Sequence, residues 1–393
     1  MKTERTIYFD YQASTPVDPV VLQEMLPFFH ESFANPHAAN HAAGWEADAA
    51  FREAQDRLAK LIGCDADEII FTSGATESNN LAILGLRGNV ATTKRNIIVT
   101  TSIEHKSVLD PCRVMKEEYD SKFTICQVDR CGRLDLDHLE SLLSDQVMLL
   151  TIGAVNGEIG TIQYFKEIYS LASRFGVLVH LDGAQMPLAS DMSDACRHAD
   201  MISLSGHKMY GPKGIGCLFI RRDLQRQIVP LVFGGGQQNG LRSGTLPVPL
   251  CVGMGAAADL LGRVPDERAS VRSLTRKLWQ ELRKLGHEIV LNGAPIDERH
   301  PGNMNVRFPG FEAEEILSAL QPDLAISTGS ACTSGTMEPS HVLRGIGLTE
   351  DQARSALRFS LGRLTTEDEI ARAAELVDKT LKRLEFAGLK QNA

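Results

Sequence analysis

The chain has 393 residues, 43% of them hydrophobic and 23% charged, with 41 lysines and arginines against 50 aspartates and glutamates for a net charge of −9. That length exceeds what one core holds and predicts two domains, while the acidic balance argues against an extended phosphate-binding surface and so against direct nucleic-acid binding. No run reaches the ~18 consecutive apolar residues of a membrane helix, residues 1–10 lack the apolar centre of a signal peptide, and eight cysteines without a C-x-x-C pair suit reduced thiols, so the expectation is a cytoplasmic protein.

The opening Ile7-Tyr8-Phe9-Asp10 reads as a short strand entering a turn, with a helix over 19–29 behind it. Beyond a loop carrying His37 and His41, a second helix over 46–62 is stopped by Gly63. Apolar runs then alternate with helical patterns at 69–72, 97–100, 123–128, 147–152, 177–181, 201–204 and 216–220. Short buried strands separated by helices predict an α/β fold with a mainly parallel seven-stranded sheet. Ligands of such sheets gather beyond the carboxyl ends of the strands.

Residues with chemical capacity stand at those ends. Ser73-Gly74-Ala75-Thr76 is a glycine turn opening a helix; it either caps that helix or holds a phosphate on free N–H groups and the Thr76 hydroxyl. It lacks the Gly-Lys-Ser/Thr ending of a Walker loop. In Glu104-His105-Lys106, His105 is either a surface residue at a helix start or a ring that stacks on a planar cofactor and moves protons near neutral pH. Asn156, before Gly157-Glu158, offers an amide to a ligand or to a turn. In Asp182-Gly183-Ala184-Gln185 the carboxylate either caps the next helix or holds a protonated pyridine nitrogen. His180, inside an apolar run, reads as a satisfied core histidine. Lys208, in Ser205-Gly206-His207-Lys208 and ahead of Gly211 and Gly214, lies between two strands. Poor solvation there lowers an ammonium pKa and favours a neutral amine able to form a Schiff base; the alternative is a solvated loop lysine.

Residues 234–245 form a glycine-rich polar loop. Gly253-Met254-Gly255-Ala256-Ala257-Ala258 matches G-x-G-x-x-A, yet no strand precedes it, so its glycines are assigned to close helix packing. A long amphipathic stretch over 268–285 leads to a second domain with strand candidates at 288–291, 303–308 and 357–360. Within it, Cys332 sits among small polar residues, whereas Cys126, Cys217 and Cys251 lie in apolar surroundings and read as packed. A thiol reacts as thiolate, and with a free pKa of about 8.5 it needs a nearby cation or the substrate to help. Arg354 and Arg358 follow four residues apart. Each is either an exposed helix arginine or a fork for a substrate carboxylate.

Ser205-Gly206-His207-Lys208, Arg242-Ser243-Gly244-Thr245, Ser330-Ala331-Cys332-Thr333-Ser334 and Arg358-Phe359-Ser360-Leu361-Gly362-Arg363 come in an order that resembles the cysteine desulfurases of the fold-type I pyridoxal-phosphate enzymes, the NifS/IscS-like class with a long catalytic-cysteine loop. The resemblance starts at Tyr8-Phe9-Asp10-Tyr11 and covers nearly the whole chain. It implies a large cofactor domain over 15–260 and a small α/β domain from 1–14 and 261–393, carrying the cysteine loop at about 327–340. It further implies that Lys208 carries pyridoxal 5'-phosphate, that Asp182 and Gln185 face its ring, and that His105 stacks over it. Ala75, Thr76, Ser205 and His207 would hold the phosphate, with Thr245 reaching over from the other subunit of a homodimer. Asn156, counted with the cofactor residues too, would position the substrate together with Arg358.

The activity implied is conversion of L-cysteine to L-alanine with sulfur passed to Cys332 as a persulfide, and then to a sulfur-acceptor protein for iron-sulfur cluster assembly, thiolation or DNA phosphorothioation. No metal is called for. Gly183 and Gly157 depart from residues common in the family but remove no functional group. Residues 385–393 do not resemble the longer tail with which housekeeping members dock their scaffold, which leaves the acceptor open. Two alternatives stand beside this reading. One is a selenocysteine lyase or other fold-type I enzyme that does not depend on Cys332; the other is a non-catalytic sulfur-transfer or docking protein.

Overall fold

The computed structural model describes residues 6–263, 267–328 and 339–391. Its strands are β1 (Ile7–Tyr8), β2 (Ile69–Thr72), β3 (Ile97–Thr101), β4 (Lys122–Cys126), β5 (Val147–Gly153), β6 (Leu178–Asp182), β7 (Met201–Ser205), β8 (Gly216–Ile220), β9 (Val290–Leu291), β10 (Asn303–Arg307), β11 (Leu324–Ala325) and β12 (Ala356–Ser360). Seven of them form one sheet in the order β2-β8-β7-β6-β5-β3-β4. From β7 to β4 every pairing is parallel. β8 runs antiparallel to both β7 and β2, so β2 points the same way as the parallel strands. The ends of β2, β3, β5, β6 and β7 therefore share one edge of the sheet.

Both faces of this sheet are buried, which is why its strands read as continuous apolar runs. Side chains alternate between two cores. Ile69, Phe71, Ile202, Leu204, Cys217 and Phe219 pack on one side, and Ile70, Met201, Leu218 and Ile220 on the other with the helices Ala75–Leu84 and Lys106–Glu118. Cys126 and Cys251 are packed in the first core, as their apolar neighbours predict. The glycine pair of the G-x-G-x-x-A run belongs to the helix Val248–Arg263. A Cβ on Gly255 would lie 2.8 Å from the Ala54 backbone, and one on Gly253 would lie 2.5 Å from Met25 Sδ. Helix contact, not nucleotide binding, sets those positions.

A second assembly joins the two ends of the chain. β10 pairs antiparallel with β9 and β12, and β1 pairs parallel with β11. Ile7, Phe9, Met304, Val306, Leu357 and Phe359 make its core with the helices Glu267–Leu282, Ala313–Leu320 and Glu367–Gln391. The helix expected over 19–29 is two pieces, Pro19–Met25 and Pro27–His30. Pro27 has no N–H to continue the ladder and takes a first-turn place instead.

Candidate functional site

The strand ends and one helix start converge on a single edge of the large sheet. Ser205 lies opposite Gly216, and Gly216 opposite Thr72. A Cβ on Gly216 would fall 2.6 Å from the Gly74 backbone, so a side chain there would push apart the end of β7 and the turn after β2. The ten-residue helix Ala75–Leu84 starts from Gly74, which has no side chain to cap it. The carboxylate of the first turn, Glu77, is engaged elsewhere, accepting the Ser73 N–H at 2.7 Å and Arg242 Nε at 2.9 Å. A Cβ added to Gly74 would meet nothing within 4 Å. The first-turn N–H groups thus border an open cradle at the positive end of a helix, which suits a phosphate. Ala75 is half-buried there and Thr76 exposed. Ser205, at the end of β7, is 3% exposed. The His207 imidazole is pushed down to about 4, first by burial and then by the Lys208 and Lys213 cations, so it is neutral near pH 7.

Lys208 ends the short turn Gly206–Lys208. Its Nζ donates to the backbone carbonyl of Gln12 and, at 3.0 Å, to that of Ala13. The Gln12 carbonyl also accepts Gln185 Nε2 at 3.0 Å, so Lys208 and Gln185 meet at one oxygen. Gln12 is itself pinned: its Oε1 accepts Asn303 Nδ2 at 2.6 Å, and Asn303 Oδ1 accepts from the buried Arg299 at 3.2 Å. Arg299 can only donate, which fixes the orientation of both amides.

Asp182 ends β6. Its Oδ1 accepts the Ala184 N–H at 3.0 Å and its Oδ2 accepts Asn79 Nδ2 at 2.8 Å. The same Asn79 nitrogen donates to Ser107 Oγ at 2.9 Å. Ser107 in turn reaches His105, its N–H donating to Nδ1 at 3.1 Å and its Oγ lying 2.7 Å from that atom. Nδ1 is therefore an acceptor, and the neutral ring carries its proton on Nε2. Asp182 and His105 are linked through two intervening side chains. Asn79 Oδ1, buried in the same place, has no partner among the described residues.

Asn156 and Arg358 are more committed to the fold than the sequence alone implies. Asn156 Oδ1 accepts the N–H groups of Glu158 and Ile159 at 2.9 and 3.0 Å, and its Nδ2 donates to the Ile103 carbonyl at 2.9 Å. Arg358 lies buried in β12, where Nη1 donates to the Gly157 carbonyl at 2.8 Å and Nη2 to Asp10 Oδ1 at 2.6 Å; Nε has no partner among the described residues. Arg354 is instead at the end of an exposed helix, paired with Glu350 at 2.8 Å. Thr245 is exposed on its loop. Cys332 lies outside the described residues; on one flank of its segment Ser327 exchanges backbone hydrogen bonds with Arg358 at 3.2 and 2.7 Å. A separate cavity of about 510 Å³, lined among others by Arg57, Asp191, Arg268 and His300, contains none of these side chains.

An uncapped helix start for phosphate, a lysine at bonding reach of a shared carbonyl, an anchored carboxylate and an unspent buried amide oxygen fit pyridoxal 5'-phosphate. The family model described as Aminotransferase class-V matches residues 7–373. The chain belongs to that family. Class-V aminotransferases are pyridoxal-phosphate enzymes. A curated relative, "Cysteine desulfurase IscS" of Rickettsia bellii (strain OSU 85-389), is 46% identical over 386 residues, covering 96% of this chain and 92% of the relative. A solved structure named "NIFS-LIKE PROTEIN" superposes with a TM-score of 0.89 at 33% identity, covering 96% of this chain and 100% of its own. Another, "SspA in complex with cysteine", gives 0.80 at 37% identity, covering 92% and 100%.

Within this class-V site, residue-by-residue reading passes over Gln12, Asn79 and Glu104. Asn79 had a usable signal, since it and Ser78 are fully buried on a helix whose other buried side chains are apolar. Gln12 had none, because its part is played by a backbone carbonyl and by residues almost 300 positions away, such as Asn303 at a separation of 291.

Proposed function

We propose that the chain is a cysteine desulfurase that turns L-cysteine into L-alanine and passes the sulfur to a thiol of its own. The observation that carries the reading is the meeting of Lys208 and Gln185 on the Gln12 carbonyl, beside an Asp182 held by Asn79. Lys208 would hold the cofactor covalently, with its phosphate at Ala75, Thr76, Ser205 and His207, its ring nitrogen at Asp182, and Gln185, His105 and Asn156 around the ring. Pyridoxal 5'-phosphate, when bound, supplies an electron-withdrawing pyridinium that stabilises negative charge at the substrate Cα.

The Lys208 amine would take the Cα proton of the bound substrate, a role typically worth about 10²–10⁴ in rate. Asp182, fixed by two hydrogen bonds, would keep the ring nitrogen protonated. Arg358, whose Nε has no partner among the described residues, and Asn156 would orient the substrate carboxylate. The Cys332 thiolate attacks the substrate sulfur: a sulfur–sulfur bond forms, the Cβ–S bond breaks, and its electron pair takes up a proton to leave L-alanine. Cysteine plus thiol becomes alanine plus persulfide with no outside oxidant.

The division into a large domain over 15–260 and a small one from 1–14 and 261–393 is supported by the separate cores on the large sheet and on β10 and β12. The exposed Thr245 belongs, in this reading, to the phosphate site of a second copy in a homodimer. The persulfide goes to an acceptor protein, iron-sulfur assembly being the use that the relatives' name favours. Free thiols at all seven cysteines of the described residues suit a reducing, cytoplasmic setting, and no helix among those residues is long and apolar enough to cross a membrane.

Alanine formation from L-cysteine by the loaded protein tests this. Wild type is expected to turn over, and Lys208→Ala and Cys332→Ala to lose at least about a hundredfold. Equal alanine from Cys332→Ala would sink the persulfide step and favour a lyase; no alanine from wild type would sink the activity.

A further inference from the structure

Glu104 is a costly residue where it stands. It is 4% exposed and no cation forms an ion pair with it among the described residues. Yet both its oxygens are used: Oε1 accepts Thr101 Oγ1 at 2.5 Å, within its own turn, and Oε2 accepts the Gly153 N–H at 2.5 Å, at the end of β5. A Cβ on residue 153 would lie 3.0 Å from that oxygen, so the glycine makes room for the carboxyl. Two further bonds hold the same turn. Asn156 Nδ2 donates to the Ile103 carbonyl at 2.9 Å, and His341 Nε2 lies 2.8 Å from the Glu104 carbonyl.

The next residue is His105. On the other side, Gly153 pairs in register with Asp182. The Glu104 carboxyl is therefore the bridge between the turn that presents His105 and the strand end that abuts Asp182 and leads into Asn156. We propose that Glu104 is a positioning residue of this site, its carboxyl setting the separation of His105 and Asn156 from Asp182. This rests on the desulfurase reading for its catalytic consequence, though not for the bridge itself.

Chemistry at the bridge depends on pH. The Glu104 carboxyl is pushed up to about 7, chiefly by burial and also by the Asp182 charge, against the opposing pull of the Thr101 and Gly153 hydrogen bonds and of His105. The other groups that face it are Cys112, from the helix behind the turn, and His341, at its backbone. A protonated carboxyl can still donate to Thr101 Oγ1 and accept from Gly153, but it accepts less strongly at Gly153.

Three measurements on the full-length, cofactor-loaded protein decide it. In Glu104→Ala, kcat for alanine formation should fall about ten- to a hundredfold with KM for L-cysteine within about threefold, as for misplacement of reacting groups. Glu104→Gln can keep both bonds, Oε1 accepting from Gly153 and Nε2 donating to Thr101, so it should restore kcat to within a few-fold while losing any step in kcat near pH 7. Independently of turnover, hydrogen exchange in the segment 147–156 should quicken in Glu104→Ala and not in Glu104→Gln. Wild-type kcat in Glu104→Ala, unchanged exchange there, or equal losses in both variants that track only the folded fraction would each overturn the proposal. If wild type makes no alanine, the desulfurase reading fails, and the exchange result still decides whether the bridge exists.

Discussion

Buried titratable side chains pull the stability of this molecule in two directions. Glu104 and Glu158 are both pushed up to about 7, chiefly by burial. Unfolded, they would titrate near about 4.3, so across the interval the native state holds more protons and their contribution is lost as pH rises through about 7. Buried His180 and His300 act the other way. Burial pushes them down to about 4 and about 3, while an unfolded imidazole takes its proton near about 6.5; their contribution is lost as pH falls from there toward the folded values. Thermal melts should separate the two. Glu104→Gln should gain on wild type as pH rises from 5 to 8, and His300→Leu should blunt the fall of the melting temperature between pH 6.5 and 4. Parallel curves for variant and wild type would rule out the assignment. His180 was legible as a core histidine from its apolar run, and its hydrogen bonds to Thr151 and Ser203 at 2.8 and 2.9 Å supply the reason. Glu104 was not legible, because a Glu beside a His at a strand exit looks the same whether it is solvated or sealed.

At the scale of elements, strands were read to within about two residues because a sheet covered on both faces demands uninterrupted apolar runs. Helix ends followed from local chemistry. Gly63 closes the helix Ala42–Ile62 at φ 83°, and a Cβ there would sit 2.1 Å from the Ser193 carbonyl oxygen. Gly310 has a similar φ of 86° with nothing within 4 Å. Gly310→Ala should thus cost only the left-handed backbone, about 1–2 kcal/mol, and Gly63→Ala clearly more. Denaturant midpoints of the two variants give the difference, and equal losses would mean the clash at Ser193 is relieved at no cost. What local pattern could not supply was partnership: Arg354 and Arg358 are four residues apart, yet one ends an exposed helix and the other is buried in β12.

Across the whole molecule, one arginine ties the C-terminal strands to the lysine turn. The Arg363 guanidinium lies 3.9 Å from the centre of the Tyr210 ring, two residues beyond Lys208, and pairs with Asp18 and, at 3.4 Å, with Glu267. Replacing it by leucine leaves two half-buried carboxylates without their cation and should cost about 2 kcal/mol or more; an unchanged unfolding midpoint would show that packing alone holds these parts together. Gly362, just before it, has no room for a side chain, since a Cβ would enter the Tyr11 ring at 2.2 Å. By itself the amino-acid sequence determined the α/β order of elements, the strand ends at which Ala75, His105, Asp182 and Lys208 stand, and the family, because periodicity, glycine turns and motif order are local properties of a chain. Only the tertiary structure decided that Gln12 joins Lys208 to Gln185, that Asn79 joins Asp182 to Ser107, and that Glu104 joins β3 to β5. Those links are hydrogen bonds between groups up to 196 residues apart, and such a bond forms only after packing has removed the water that would otherwise satisfy each group separately.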